Sequence, residues 1–399
     1  MIVLTVLAGW LGITGLLVIL FFWEGMTNTW REPVLRRPVL IVESDDWGPG
    51  PLEQASALRR IAGILSEFAD CDGRRPVMTL GMVLAAADGK KILSSGSYQR
   101  RKISAHTHGP LLSAISSGVE THVFSIQLHG MEHFWPPALV SASKTDNAVM
   151  AWLDRGWEAV TEDLPPPLQS RWVDGSILPA GRLDPQIVQQ AVQEEVDAFD
   201  DIFGSPPSVV VPPTFIWNED VESAWAKAGV AVVVTPGHRF ETRDEEGNPA
   251  ASGAIIYNGQ TTETDLVYLV RDVYFEPAFG HTAIQAVEAL LSKTRLGRPT
   301  LFETHRFNFL GTEEKNRLAL TELERLLQIA VDECPHLAFL SSRELAVILK
   351  GGDPQWLELR LRYRLHIWIM RLGELPRLRK LAWVTGWIVP AGLLWRLTA

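Results

Sequence analysis

The chain has 399 residues, of which 46% are hydrophobic and 21% are charged, so it can bury a large core as one large domain or two ordinary ones. This composition excludes an intrinsically disordered protein. The formal net charge of -10 and a pI near 5.5 argue against a nucleic-acid-binding protein, because contacts to phosphates need a basic face. The two cysteines, Cys71 and Cys334, are too few for a disulfide scaffold and leave the redox compartment open.

The first predicted element is an uncharged apolar segment from Ile2 to Trp23. It is long enough to cross the ~30 Å hydrocarbon core of a bilayer as a helix, so we interpret residues 1–26 as a transmembrane anchor and membrane lipid as a partner. A cleaved signal peptide is the alternative, but the segment lacks a basic n-region, is longer than an h-region, and is not followed by an A-x-A-like cleavage site.

After this segment, short apolar runs alternate with amphipathic helical patterns. The run PVLIVES precedes the helical pattern PLEQASALRRIAGILSEF, and later apolar runs are PSVVVPP, VAVVVTP, TDLVYLVRDV and PTLFETH. This alternation indicates a parallel sheet covered on both faces, as in an α/β barrel or a doubly wound fold. No glycine-rich phosphate loop follows these runs, which argues against a nucleotide-binding motif. Residues 141–180 are predicted to be a long insertion and residues 240–263 a polar loop or hairpin.

Acidic and histidine side chains stand where three of the predicted strands end. Asp45 and Asp46 lie in ESDDWG, His129 and His133 in SIQLHGMEHFW, and His305 in LFETH. Chemistry in an α/β barrel gathers at the carboxyl ends of the strands. One carboxylate and two imidazoles suit a borderline divalent ion and leave positions open for water. The joint placement therefore predicts a metal site.

Each of these motifs alone has a structural alternative. The H-x-x-x-H spacing would put the imidazoles of His129 and His133 on one face of a helical turn, but such pairs also arise by chance among ten histidines. An Asp-Asp pair often caps a helix or lies in a solvated turn, and an isolated histidine such as His305 is often structural. The zincin pattern is absent, because Gly130 rather than glutamate follows the first histidine.

The order of the motifs resembles the polysaccharide deacetylase family, also called the NodB-homology or carbohydrate esterase family 4 fold. The resemblance covers residues 36–350 and rests on ESDDWG, HGMEH, VVPPTFIWNEDVESAWAKAGV and FETHRF. It implies a distorted (β/α) barrel that hydrolyses N- or O-acetyl groups on sugars with a divalent metal. Zinc is the usual ion, and cobalt, manganese and nickel are alternatives.

The resemblance also implies a role for each motif residue. Asp45 corresponds to the general base of the family's first motif and Asp46 to its metal ligand. His129 and His133 correspond to the two metal-binding histidines of the second motif. His305 corresponds to the general acid of the late motif.

The sequence departs from the family pattern in the third motif. An arginine that buttresses the catalytic base usually precedes the proline pair, whereas Val211 stands there in VVVPPT. Arg271 is a candidate substitute, and Asp272 or Glu276 is a candidate to orient His305. A surface ion pair is the alternative interpretation for Arg271 and Asp272.

Aromatic and proline residues near the motifs are candidates for substrate binding or support. Trp47, Trp135 and Trp217 could stack on sugar rings, although packing in the core or at its rim is the alternative for each. Pro213 is the second proline of the third motif and is a candidate supporting residue.

The last predicted element lies in residues 354–399 and is a membrane-associated or second transmembrane helical segment. Its apolar part, Leu381 to Trp395, contains Pro390 and could be a kinked span or a helix in the interface. A buried core helix is the alternative. The basic residues that precede this part are Arg377, Arg379 and Lys380.

We therefore expect a membrane-anchored, metal-dependent hydrolase that removes acetyl groups from a carbohydrate. The alternatives are a catalytically weakened carbohydrate-binding relative, suggested by Val211, and a metal-dependent hydrolase of a glycosidic or non-sugar amide bond. The glycan and the oligomeric state are not set by the sequence.

Two arguments about the side of the membrane conflict. Arg31, Arg36 and Arg37 follow the first span, so the positive-inside rule places the barrel in the cytoplasm. That side implies a lipid-linked or nucleotide-linked sugar precursor as substrate. Many members of the family act outside the cytoplasm on envelope polysaccharide. We favour the charge argument because it is a property of this chain.

Overall fold

The strands and helices are taken from a computed structural model that describes residues 2–156 and 159–398. Met1 and Ala399, which fall within the predicted terminal segments, lie outside the described residues. The strands are β1 (Val39–Trp47), β2 (Met78–Met82), β3 (Ala85–Ala87), β4 (Arg100–Lys102), β5 (Phe124–Leu128), β6 (Val173–Asp174), β7 (Gly181–Arg182), β8 (Val209–Val210), β9 (Val232–Thr235), β10 (His238–Arg243), β11 (Pro249–Ile255), β12 (Val267–Val270), β13 (Val273–Tyr274), β14 (Thr300–His305) and β15 (Ala338–Phe339).

Helices follow most of the sheet strands, as the alternating pattern predicts. They are α1 (Ile2–Arg31), α2 (Gln54–Ser66), α3 (Gly89–Ser95), α4 (Ala105–Glu120), α5 (Pro136–Ala142), α6 (Asn147–Asp154), α7 (Pro185–Phe203), α8 (Glu219–Lys227), α9 (Ala283–Arg295), α10 (Glu313–Glu333), α11 (Ser342–Gly351), α12 (Leu361–Gly373), α13 (Pro376–Thr385) and α14 (Ile388–Thr398).

The central sheet is parallel and curls into a distorted barrel. Its strand order is β12-β9-β8-β5-β2-β1-β14-β13, with β15 added beside β1. The two edge strands β12 and β13 are separated in the chain by Arg271 and Asp272 alone, so one extended segment pairs with β9 and then with β14. The predicted barrel of parallel strands is therefore confirmed.

The barrel is closed at the end where its strands begin. Alternate residues of β8, β9 and β12 are valines or leucines that meet inside it, as the β-branched runs predict. Leu345, Ala346 and Leu349 of α11 join the same cluster beside Val39, the first residue of β1. Because α11 fills this end, the opposite end, where the strands stop, is left for polar side chains.

Three local predictions have clear outcomes. The segment predicted as a loop or hairpin, 240–263, overlaps the antiparallel pair β10 and β11, which begins two residues earlier at His238. The segment 141–180 carries α6, short 3-10 turns and β6 instead of a barrel strand, as an insertion does. The sequence analysis missed β2, which lies between β1 and β5. Its sequence MTLGM has no β-branched run, so its pairing with two neighbours decides its conformation.

The apolar ends of the chain lie together. Within α1, the segment Gly9–Arg31 is long and apolar enough to cross a membrane, with a mean hydropathy of 1.6. The helices α12, α13 and α14 contact α1 or one another. Pro390 lies in the first turn of α14, where proline is tolerated, so it does not kink a longer helix. The chain instead turns at Gly386, between α13 and α14.

Candidate metal centre and active site

A bulge at the end of β1 places Asp45 and Asp46 in the same cavity. Successive side chains of a regular strand point to opposite faces, so adjacent acids would normally diverge. Here the pairing of β1 with β2 shifts between Ser44 and Trp47, and Asp46 has a φ of 71°. Such a conformation is strained for a residue with a side chain and is found at sites where a bulge redirects a strand end. Both carboxylates consequently line one cavity.

Gly81 on β2 leaves the space that Asp45 occupies. A Cβ added to this glycine would lie 2.2 Å from Asp45 Oδ1, which is closer than real Cβ contacts allow. Asp45 is also the register partner of His305 on β14. The base and acid implied by the resemblance therefore face each other from adjacent strands.

His129 and His133 lie in an irregular loop, not in the helical turn that their spacing suggests. The loop begins after β5, and Gly130 adopts a φ of 92°, which a right-handed helix excludes. The two imidazole rings nevertheless meet, with centroids 4.9 Å apart.

The loop is held by Glu132, whose side chain is completely buried. Its carboxylate accepts hydrogen bonds from the Tyr98 hydroxyl at 2.8 Å, from Arg171 at 2.6 Å, and from Arg100. Arg171 also donates to Glu195 at 3.0 Å, and Glu195 accepts from the backbone N–H of Met131 at 3.1 Å. Buried charges paired in this way fix the backbone between the two histidines.

Asp46, His129 and His133 have the geometry of a metal site. Asp46 Oδ1 lies 3.4 Å from His129 Nε2 and 3.6 Å from His133 Nε2. Ligands at the usual zinc distances of about 2.0–2.2 Å stand about 3.3 Å apart in a tetrahedral site, close to these separations. All three ligand atoms lie within 4.8 Å of one another.

The hydrogen bonds around these ligands leave room for a cation. His129 Nδ1 bonds the carbonyl oxygen of Val211 at 2.8 Å, so this nitrogen carries the proton and Nε2 presents a lone pair. Among the described residues, Asp46 Oδ1 and His129 Nε2 are buried without a hydrogen-bond partner. Burial raises the pKa of Asp46, but the two imidazoles outweigh it and hold the pKa well below its usual value. An ionised carboxylate facing His129 Nε2 accommodates either a proton on that nitrogen or a metal ion, and the residues present fit a divalent metal.

Arg271 contacts the candidate base directly. It donates to Asp45 Oδ2 at 2.6 Å and to Glu43 at 2.8 Å, and its Nε lies 3.4 Å from Glu303. Burial raises the pKa of Asp45, but Arg271, together with His129 and His305, outweighs it, so the pKa lies below its usual value. Arg271 thus occupies the contact expected of the arginine that Val211 replaces, and it does not form a surface ion pair.

Glu276, and not Asp272, contacts His305. Glu276 Oε1 lies 2.6 Å from His305 Nδ1, and Asn308 holds the second carboxylate oxygen. Burial lowers the pKa of His305, but the hydrogen bond to Glu276 and the negative charges of Asp46, Glu276 and Asp45 together outweigh it and raise the pKa to about 10. The imidazole is therefore protonated at neutral pH. Asp272 pairs instead with Lys293 at the surface.

The candidate stacking residues lie in the core. Trp47 and Trp217 are 0% exposed, and their indole N–H groups donate to Ser44 and Glu222. Trp135 is also buried, in a cluster with Phe134 and Trp152. These rings present no open face to a sugar, so the structure contradicts a stacking role and places them as packing residues. Pro213 is buried against Gly130 in the metal-ligand loop.

The cavity has a volume of about 240 Å³ and includes residues that the sequence analysis missed. Glu303 is two residues before His305 on β14, so strand alternation would have placed it on the same face. Glu162 comes from the insertion, and no strand pattern could have predicted its position. Tyr274 and Phe307 complete one wall, and the Phe307 ring stacks on the His305 imidazole at 5.5 Å.

No protein-family model matches the sequence, and no curated protein matches it. Solved structures do align with it. A family 4 acetyl xylan esterase from Clostridium thermocellum is 13% identical, with a TM-score of 0.37 over 79% of this chain and 95% of that one. A peptidoglycan deacetylase from Bacillus subtilis is 10% identical, with a TM-score of 0.37 over 80% and 95%.

A 4-alpha-glucanotransferase from Thermococcus litoralis is 11% identical, with a TM-score of 0.41 over 78% of this chain and 40% of that one. Structural neighbours of the chain therefore include peptidoglycan deacetylases and family 4 carbohydrate esterases, and the latter are the family that its motifs resemble. At these TM-scores the alignments carry no argument about activity, which rests on the geometry of the site.

The first prediction concerns metal binding by Asp46, His129 and His133. After loading with Zn²⁺ or Co²⁺, the protein should hold about one ion per chain, and the His129→Ala, His133→Ala double variant should hold less than about a tenth of that. Elemental analysis measures the content, and the visible spectrum of Co²⁺ reports its geometry. His108→Ala, a buried histidine away from the cavity, is the matched control. Full metal content in the double variant would refute the site.

The second prediction concerns the pKa of His305. Glu276→Gln removes one of the carboxylates that raise this pKa, while Asp46 and Asp45 remain, so the alkaline limit of the protonated imidazole should fall from about 10 part of the way toward the usual histidine range. An NMR titration of the His305 ring measures the shift. Asp272→Asn is the control, because this carboxylate pairs with Lys293 and should leave the titration unchanged. Equal shifts in both variants would contradict the assignment.

Proposed function

We propose that the protein is a metal-dependent hydrolase that removes acetyl groups from a carbohydrate. The observation that carries this proposal is a carboxylate and an imidazole that line one cavity, each fixed by a partner of opposite charge. Arg271 favours the ionised form of Asp45, and Glu276 favours the protonated form of His305. Two titratable groups with pKa values pushed apart are the usual signature of a base and an acid acting on one bond.

Asp46, His129 and His133 would hold the divalent ion. Zinc is the first choice for one carboxylate and two imidazoles, and cobalt, manganese and nickel are alternatives. When bound, such an ion lowers the pKa of a water molecule toward ~7 and polarises a carbonyl group. The chain's own task is to position the acetyl group, accept a proton from water and return one to the leaving group.

Asp45 is suited to accept the proton. Arg271 occupies its Oδ2, whereas Oδ1 is buried and has no hydrogen-bond partner among the described residues. The free oxygen belongs to a residue that lines the cavity. A carboxylate with one oxygen fixed and the other available has the geometry of a positioned general base.

His305 is suited to return the proton. Glu276 holds its Nδ1, which leaves Nε2–H to donate to the departing amine or alkoxide. Glu303 Oε1 lies 3.9 Å from Nε2, a distance that does not capture this proton in a hydrogen bond. The acid and the base are then separate side chains, as hydrolysis of an amide or ester requires.

The carbohydrate substrate rests on the motif resemblance, together with a cavity of about 240 Å³ that admits a group no larger than about one sugar unit. The alternative of a weakened carbohydrate-binding relative drew on Val211. The contact between Arg271 and Asp45 weakens that alternative, because the base keeps a cationic partner. The other alternative, hydrolysis of a glycosidic or non-sugar amide bond, would use the same acid and base.

The third prediction tests the reaction. Purified protein loaded with metal should release acetate from one or more members of a panel of N- and O-acetylated glycans. Asp45→Asn and His305→Ala should each lose ~10²-fold or more in turnover while keeping the metal, the usual size of a general acid or base contribution. Asp265→Asn is the control, because Asp265 is exposed and does not line the cavity. Near-native acetate release by either variant would remove that residue's role.

We further propose that α1 anchors the protein in a membrane with the barrel in the cytoplasm. Arg31, Arg36 and Arg37 follow the apolar segment and favour this side. A lipid-linked or nucleotide-linked sugar precursor is then the natural substrate.

The fourth prediction uses Cys71, which is exposed on the barrel, whereas Cys334 is buried. A membrane-impermeant maleimide should label Cys71 in lysed bacterial cells but not in intact ones, and Cys71→Ser should abolish the signal. Labelling in intact cells would reverse the orientation and make surface glycan the substrate.

A further inference from the structure

The helix α13 runs antiparallel to α1, starting at the polar end of that helix. A Cβ built at Gly25 would lie 3.4 Å from Leu375, which precedes α13. At the other end of α13, the Trp10 indole donates to the carbonyl oxygen of Thr385 at 3.1 Å. The chain therefore travels from the level of Gly25 to the level of Trp10 along the apolar segment of α1.

The helix α14 returns to the level where α13 began. The chain turns at Gly386, and the Trp387 indole donates to the carbonyl oxygen of Leu11 at 3.2 Å. At the far end of α14, the ring of Trp395 stacks on His366 of α12, with centroids 5.1 Å apart. Trp368 of α12 in turn donates to Met26 at 2.9 Å. The start of α13 and the end of α14 thus both lie near the polar end of α1.

Neither helix is long enough to cross a bilayer. The helices have 10 and 11 residues, or about 15–17 Å at 1.5 Å per residue, whereas the hydrocarbon core is about 30 Å thick. Measured along α1, Leu11 lies about 18 Å from Trp23, where the apolar segment ends. The turn beside Leu11 therefore lies at least as deep as the middle of a bilayer that α1 spans.

The surface of the pair suits a lipid environment. Trp383, Val384, Val389 and Leu393 are exposed apolar side chains, as are many side chains of α1. The cations of the pair lie toward the end away from the turn, where the lipid headgroups would be. They are Arg377, Arg379, Lys380 and Arg396.

The polar backbone at the turn also has partners within the protein. The indole N–H groups of Trp10 and Trp387 bond to helix carbonyls, and the Gly386 N–H bonds to Trp383. Partners of this kind are what a bilayer interior demands of a turn.

We propose that α13 and α14 form a re-entrant hairpin, which enters the bilayer from the barrel side, turns beside Leu11 and returns to the same side. The partner of this surface is the hydrocarbon of the lipid bilayer. The inference rests on the membrane anchor of the proposed function and is independent of the reaction. It places residue 398 on the same side of the membrane as the barrel.

The fifth prediction tests the side on which α14 ends. In a Cys71→Ser background, Arg396→Cys should react with the impermeant maleimide under the same conditions as Cys71 in the unaltered chain. Labelling of the two cysteines from opposite sides would show that the segment spans the membrane and would overturn the hairpin.

The depth of the turn is tested in the full-length Cys71→Ser protein in lipid vesicles. A nitroxide label is attached at Val384→Cys in one variant and at Val347→Cys in another. These two valines are a matched pair, each 67% exposed, on α13 and on the barrel helix α11. The label at residue 384 should be relaxed mainly by oxygen and the label at 347 mainly by a water-soluble reagent. Equal relaxation by the water-soluble reagent would overturn insertion.

These readouts are separate from hydrolysis. A protein that releases no acetate but shows same-side labelling and a deep residue 384 supports the hairpin and refutes the proposed reaction. A protein that releases acetate but is labelled from opposite sides supports the proposed reaction and refutes the hairpin.

Discussion

The buried guanidinium of Arg271 is the interaction on which the site depends. It lies where the chain passes from β12 to β13 and closes the barrel, and it contacts Asp45, Glu43 and Glu303 together. Burial raises the pKa of Glu43 and of Glu303, whereas Asp45 keeps a lowered pKa. Negative charge is therefore concentrated on the residue nearest the metal ligands. Breaking such a buried ion pair costs about 3–5 kcal/mol, because a charge is left without compensation.

Arg271 takes part both in the closure of the barrel and in the proposed chemistry. The step from β12 to β13 is needed to complete the sheet, and it brings an arginine into the interior at the level of the strand ends. In the family pattern an arginine before the proline pair has this task. Val211 stands in that place here, and its carbonyl oxygen accepts a hydrogen bond from His129 Nδ1, so this strand end orients a candidate metal ligand. The contact to the candidate base that the resemblance implies for that arginine is made here by Arg271.

The sequence was enough to bring the motif residues together. Parallel strands share one carboxyl edge, so Asp45, His129 and His305 had to lie close to one another once their strands were recognised. The sequence could not choose between Asp272 and Glu276, because that choice depends on how the chain turns after β13. It also misplaced the histidine pair on a helical turn, since spacing alone does not register the positive φ of Gly130.

Residues that lie outside the strand pattern were beyond prediction. Glu162 reaches the cavity from an insertion whose path is set by tertiary packing, and β2 is a strand because of its neighbours. The buried state of Trp47 and Trp217 follows from contacts made by distant parts of the chain. The residue types near a motif therefore indicated candidates for the site, but they did not decide which side chains face the cavity.

The buried carboxylate of Glu132 has a consequence for how an ion would enter and leave. Tyr98, Arg100 and Arg171 hold it from three directions, so the loop between His129 and His133 has its shape before any ion arrives. A preorganised loop loses little conformational entropy when its ligands close around a cation, in contrast to domains that fold only upon zinc binding. An ion bound at this centre would therefore exchange without unfolding the loop, and the supply of metal would control the proposed activity without controlling the lifetime of the protein.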